Sequence, residues 1–233
     1  MNETLTNIRI LNVSFLEEIQ PKELECFRGA IVDKVGVQQE FYHNHNNDPN
    51  SKVQYHYRYP LIQYQMVHRR PRIVFINEAI EEAHHFFAKN DWSLNLAGRP
   101  YQSRIENLKA LQVHFGLSDD FQDYRISNWL GLNEENVKAY RNTPRMADRL
   151  AILERILAGN ILSVANNFEL HFPRRFTLEI TDFFTCRKVY YKGIGLMSFD
   201  LAFRSDVYFP YGLSMGKGSS LGYGRVGAVD REE

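Results

Sequence analysis

An α+β fold is predicted for this 233-residue chain by three observations. The first half alternates strand-like and helix-like runs in the order β-α-β-β-α-β, the split βαβ or ferredoxin-like (RRM-like) unit. The second half carries two helical patterns and then two runs of strict apolar alternation, a less complete unit of the same class. A glycine-rich segment follows the last of those strands and leads to the C-terminus.

The elements follow from local patterns. A first strand is expected around Asn7 to Phe15, with an apolar phase slip at Ile10–Leu11. Pro21 opens a helix whose apolar face is Leu24, Phe27, Ile31 and Val35, and Gly36 ends it. Val53 to Val67 reads as a long strand interrupted at Pro60, with Arg72 to Ile76 as its hairpin partner. Asn77 is expected to cap a second helix, Glu78 to Ala88, whose first turn is acidic as the helix dipole prefers. Strands near Trp92 to Leu96 and Arg104 to Phe115 complete this half.

Gly116 to Asp123 marks a boundary, so residues 1–120 are read as one domain and 121–233 as another. Beyond it, Asn133 to Arg141 and Pro144 to about Asn160 read as helices. The second of these has Met146, Leu150, Leu153 and Leu157 as its buried stripe and Arg141, Arg145 and Arg149 on another face. Phe176, Leu178 and Ile180 alternate with polar residues, as do Met197, Phe199, Leu201 and Phe203, the pattern of half-buried antiparallel strands. No repeat relates the halves, and the residues alone leave a single continuous sheet open.

Composition sets the class. An apolar fraction of 44% with 13% aromatics is that of a folded globular chain. Net charge is zero, which gives no global signal for nucleic acid. Local asymmetry exists, however. No acidic residue lies between Asp48 and Glu78, where Lys52, Arg58, Arg69, Arg70 and Arg72 occur, and basic residues outnumber acidic ones from Pro173 to Arg225. Cys26 and Cys186 have neither zinc spacing nor a disulfide framework. With no secretory leader and no apolar run near 18 residues, a cytosolic, cytoplasmic protein without a membrane partner is expected.

Six of the 14 glycines fall between Gly212 and Gly227. Glycine admits φ > 0 and close approach of backbone N–H groups, which is how a chain builds a concave anion site. Gly216, Lys217, Gly218, Ser219, Ser220, Gly222, Gly224 and Arg225 are the candidate binding residues, with a phosphate as guest. A Walker A loop is excluded, because Tyr211 stands where its first glycine is required and Gly218 where its hydroxyl is required. Gly222-Tyr-Gly-Arg-Val-Gly227 spells G-x-G-x-x-G, but only six residues follow and a dinucleotide fold needs a helix there. A nucleic-acid backbone becomes the better candidate, against a loop that binds nothing.

Tyr42-His43-Asn44-His45 follows the first helix, with Lys52 nearby. In extended backbone, residues i and i+2 lie on one side, about 6.5–7 Å apart, so two imidazoles can bracket one phosphate. Imidazole, with an unperturbed pKa of about 6.5, serves as base or acid at neutral pH. A solvated surface pair is the competing reading. His43, His45, His56 and His84–His85 lack metal-ligand spacing, so no metal or cofactor is expected. The letters H-N-H are an accidental match to the nuclease motif of that name, which spreads its residues over a hairpin and a helix. His84–His85 belong to a surface or partly packed helix face.

Leu24–Ala30 leading into Phe41–His45, then Tyr57–Tyr64, Ile73–Glu78, Ile156–Ser163 and Gly216–Gly224 together resemble, in the same order, the CRISPR-associated endoribonucleases of the RAMP superfamily that process precursor guide RNA. The likeness is to a subgroup with a paired-histidine site. The resemblance implies two tandem ferredoxin-like domains and binding of CRISPR repeat RNA, single-stranded or hairpin. It also implies metal-independent cleavage to a 2′,3′-cyclic phosphate. His43 and His45 would then be acid and base in undetermined order, Lys52 would stabilise charge and Tyr42 would orient. Leu221 departs from the pattern where a basic residue is frequent. A non-catalytic RNA-binding subunit of an effector complex is the alternative, with that complex or a homodimer as further partners. A tandem ferredoxin-like module for a protein or small ligand is a third.

Overall fold

A computed structural model describes residues 5–36, 38–43 and 59–229, with the backbone alone at residue 43. The chain divides into two units, one of residues 8–113 with 220–222, the other of residues 114–219 with the described parts of both termini.

In the first unit, β1 (Leu5–Phe15) buries Ile8 and Ile10, then Val13 and Phe15, so the phase slip is present. A 3-10 turn, Pro21–Glu23, leads into α1 (Leu24–Val35), and Glu23 accepts from the Gln20 N–H at 2.6 Å. α1 buries Phe27, Ile31, Val32 and Val35 and stops at Gly36, whose φ is +112°. β2 (Ile62–Val67) and β3 (Arg70–Ile76) form the hairpin, and β3 pairs antiparallel with β1 from Ile10↔Ile76 to Ser14↔Arg72. With β6 (Ile105–Trp129) beside β1, the order is β2-β3-β1-β6, that of a ferredoxin-like sheet. Phe15, Phe27, Phe86 and Tyr101 meet edge to face, 5.3–5.9 Å apart between the centroids of each contacting pair.

Two expectations are corrected in this unit. Asn77 does not cap a long helix. Its φ is +51° and its side chain accepts from the Arg9 N–H at 2.9 Å, so it ties the turn to β1. A 3-10 turn, Asn77–Ile80, and the short α3 (Ala83–Phe87) stand where one helix was expected. The strand at Ser93–Leu96 (β4) pairs with Arg99–Gln102 (β5) in a separate two-stranded sheet. Of the strand expected from Val53, the described part begins at Ile62, and residues 53–58 lie outside the described residues.

The second unit repeats the topology. The later part of β6 has β8 (Ile194–Tyr208) on one edge and β9 (Arg225–Ala228) on the other, and β7 (Leu178–Tyr191) pairs with β8. The order β7-β8-β6-β9 reproduces second, third, first, fourth strand. α4 (Glu134–Asn142) is capped by Asn133, which accepts from the Asn136 N–H at 2.8 Å. α5 (Met146–Asn167) ends about two turns later than expected, and its stripe is Leu153, Leu157, Ile161 and Val164. Met146 is exposed and Leu150 half-buried, so the first turn lies outside the core. Gly116 to Asp123, the stretch read as a boundary, lies within β6, where residues 118–121 bulge opposite Asp206 alone. Between the third and fourth strands, where the first unit has α3, there is a loop with one 3-10 turn, Ser219–Leu221.

Candidate nucleic-acid interface

That loop is the glycine-rich segment. Its framework is made by backbone hydrogen bonds: Met215 N–H to the Gly224 carbonyl at 2.9 Å, Val226 N–H to Leu213 at 2.9 Å and Gly212 N–H to Val226 at 2.8 Å. Trp129 at the end of β6 lies beneath it, fully buried, and its indole N–H donates to Asn160 Oδ1 of α5 at 2.9 Å. A Cβ on Gly216 would fall 2.9 Å from both of those polar atoms, and one on Gly224 would fall 2.0 Å from the Met215 carbonyl oxygen. These glycines therefore serve the packing of the loop against its own scaffold. Trp129 and Asn160 were not singled out in the sequence; a buried tryptophan needing an acceptor for its N–H is the signal that could have found them.

The outward part of the loop is Gly216-Lys217-Gly218. Gly216 and Gly218 have φ of +85° and +75°, while Lys217 between them is not in the left-handed region. A nest, in which successive N–H groups face one anion, is built from alternating right- and left-handed residues, and the positive φ of Gly216 and Gly218 is compatible with it. The N–H groups of these three residues donate to no backbone carbonyl among the described residues. Lys217 is exposed, Ser219 buried at the start of the 3-10 turn and Ser220 half-buried. Arg225 is half-buried on β9, and burial lowers the pKa of its guanidinium, which stays charged because arginine titrates far above neutrality. No carboxylate of the described residues forms an ion pair with Lys217 or Arg225, and no acidic residue occurs from Val207 to Val229. Leu221 is buried, and Gly222, in the first unit, lies against β2, where a Cβ would approach the Tyr64 carbonyl at 3.1 Å.

The histidine segment is described only in part. Glu40–His43 forms the short helix α2, so His43 ends a helical turn; His45, Lys52 and His56 lie outside the described residues. Tyr42 is buried. Its phenol donates to the Glu82 carbonyl at 2.7 Å, its own carbonyl accepts from the Tyr64 phenol at 3.3 Å, and its ring meets Phe75 edge to face. Burial, reinforced by Tyr64 and Glu82, raises the Tyr42 pKa and keeps the phenol neutral. His84 is exposed and His85 half-buried on α3, their rings 3.9 Å apart, and His85 faces Glu82 at 3.6 Å. Among the described residues, no three His, Cys, Asp or Glu side chains converge as metal ligands would, and no helix is long and apolar enough to cross a membrane.

Comparison with known proteins accounts for this architecture. A family model described as the Cas6b N-terminal domain matches residues 6–114, and one described as the Cas6b C-terminal domain matches residues 116–229. A crystal structure of Cas6b is similar at 24% identity, with a TM-score of 0.83, over 96% of this chain and 100% of that one. A crystal structure of the CRISPR RNA processing endoribonuclease Cas6b is similar at 21% identity, with a TM-score of 0.71 and the same coverage. A type IV Cas6 crRNA endonuclease, Csf5, shares the fold at 13% identity and a TM-score of 0.54, over 96% and 100% of the two chains. No curated protein sequence gives a significant match. With both halves matched, and with two ferredoxin-like units of the same strand order, the chain belongs to the Cas6b family.

Proposed function

We propose that this protein binds CRISPR repeat RNA and cuts it to guide RNA without a metal ion. The match of the family's N- and C-terminal domains to residues 6–114 and 116–229 carries this reading. The CRISPR RNA processing named for the similar Cas6b structure agrees with it.

His43 and His45 act as general base and acid, in either order. One removes the proton from the ribose 2′-OH; the 2′-oxygen attacks the adjacent phosphorus as the bond from phosphorus to the 5′-oxygen breaks. The other protonates that departing oxygen. The products are a 2′,3′-cyclic phosphate and a 5′-hydroxyl end, and atoms balance with no water consumed. Lys52 offsets the charge that builds on the phosphorane. Tyr42 orients the pair from within the core, because the hydrogen bond of its phenol to Glu82 fixes the turn that ends at His43.

The RNA backbone is held at the glycine-rich loop. N–H groups of Gly216, Lys217 and Gly218 that meet no backbone carbonyl among the described residues, and the charges of Lys217 and Arg225, suit a phosphate, with Ser219, Ser220, Gly222 and Gly224 shaping the loop. Incubation of the purified protein with labelled repeat RNA in EDTA tests the reading. Discrete cleavage is expected, and binding without cleavage would favour a non-catalytic RNA-binding role.

A further inference from the structure

α5 carries two poor helix formers side by side in its interior, Gly159 and Asn160. Gly159 is exposed, with nothing within 4 Å of where its Cβ would stand. Asn160 is half-buried and shares the helix face of Leu157 and Ile161, both fully buried. Its side chain has one hydrogen-bond partner among the described residues, the indole N–H of Trp129 at 2.9 Å.

That bond fixes the amide. An indole N–H only donates, so the amide oxygen must face it and the nitrogen is directed away. Asn160 Nδ2 carries two N–H donors, and neither has a protein acceptor among the described residues.

Those donors are beside the glycine-rich loop. A Cβ on Gly216 would stand 2.9 Å from Asn160 Oδ1 and 2.9 Å from Trp129 Nε1. Amide geometry holds Nδ2 about 2.2 Å from Oδ1, so the donors start within about 5 Å of the same point. Gly216 opens the run whose backbone N–H groups meet no backbone carbonyl among the described residues. The indole itself has no room to turn. It is fully buried, and a Cβ on Gly131, Gly216 or Gly224 would come within 2.3, 2.9 and 3.2 Å of it.

We infer that Asn160 belongs to the phosphate site: Trp129 holds its oxygen, and its Nδ2 donates to the RNA phosphate bound at Gly216-Lys217-Gly218. The inference rests on the reading of that loop as an RNA backbone site and adds to it a side-chain donor aimed from the helix below. Trp129 is the positioning residue. An amide oriented before RNA arrives loses little freedom on binding, and its bond to a phosphate is charge-assisted.

Affinity for labelled repeat RNA at several salt concentrations, with the melting temperature of each variant, tests it. Asn160→Asp keeps an oxygen for the indole N–H and removes both donors. Its melting temperature is expected to stay near that of wild type while affinity falls about 10–100-fold, the effect of a lost hydrogen bond to a charged group. Gly159→Asp places the same charge one residue away on exposed helix and is expected to lose far less. Asn160→Ala, which is neutral and serves alone if Asn160→Asp does not fold, should also bind more weakly. Its slope of log K against log salt should match that of wild type, because a neutral donor displaces no counterion. An Asn160→Asp variant that binds no worse than Gly159→Asp, or an Asn160→Ala variant with wild-type affinity, would overturn the inference and leave Asn160 a structural acceptor for Trp129. A wild type that binds no repeat RNA would overturn the reading of the loop, and this inference with it.

Discussion

The phenol of Tyr42 donates a 2.7 Å hydrogen bond to the carbonyl oxygen of Glu82, joining the short helix that ends at His43 to the start of α3. The same carbonyl accepts the His85 N–H at 3.0 Å, so it keeps a backbone partner when the phenol is removed. Tyr42→Phe should then cost about 0.5–1.5 kcal/mol, the net worth of one hydrogen bond, in denaturant unfolding. On the proposal that Tyr42 positions the histidine turn, single-turnover cleavage should slow while RNA affinity holds. An equal loss of affinity would mean that Tyr42 touches RNA directly.

Gly224 and Gly212 separate packing from backbone strain. Both have positive φ, +69° and +89°, but a Cβ at Gly224 meets the Met215 oxygen at 2.0 Å and one at Gly212 meets nothing within 4 Å. Gly212→Ala should cost about 1–2 kcal/mol, the left-handed penalty alone. Gly224→Ala should cost distinctly more and lower the melting temperature further. Equal melting temperatures for the two variants would refute the packing role.

Lys217 and Arg225 differ in burial, and their variants should differ accordingly. Lys217→Ala should weaken repeat-RNA binding modestly and make log K against log salt shallower by about 0.7, the value for one phosphate contact on a single strand. Arg225→Gln should weaken binding more, because its half-buried charge is less screened by solvent. Titration of RNA at several salt concentrations reads both effects. Unchanged slopes would remove these cations from the interface.

His43→Ala and His45→Ala should each reduce the single-turnover rate by about 10²–10⁴-fold, the contribution of a general acid or base, with affinity and salt slope retained. Wild-type rates in both variants would make the segment ordinary surface.

Much of the fold is legible because burial imposes periodicity. Phe27, Ile31 and Val35 announce α1 at helical spacing, and Phe199, Leu201 and Phe203 announce β8 by alternation. What escaped depends on distant partners. Asn77 has the composition of a cap, but its side chain is taken by Arg9 N–H across 68 residues. Residues 118–121, inside the stretch read as a boundary, form a bulge in a strand, with Asp206 opposite and Arg174 bonded to the Ser118 carbonyl, partners that no local pattern shows. At the candidate site, glycine density predicts an anion loop, and Gly216 and Gly218 have the positive φ that such a loop needs. Density alone does not distinguish those from Gly224, which is needed because Met215 and Trp129 press on it. Of the catalytic candidates, Tyr42 is oriented inward by a carbonyl 40 residues away, a contact that no local pattern encodes.

The central claim is that the 2′-hydroxyl of the RNA is the nucleophile and that protein side chains alone move the protons. Single-turnover cleavage of labelled repeat RNA in EDTA, beside the same RNA carrying a 2′-deoxyribose at the scissile nucleotide, tests it most directly. The account predicts rapid cleavage of the all-ribose substrate to a 2′,3′-cyclic phosphate end, and a deoxy substrate that binds equally well and stays intact. Cleavage of the deoxy substrate, or cleavage of the ribose substrate only when magnesium is restored, would contradict it.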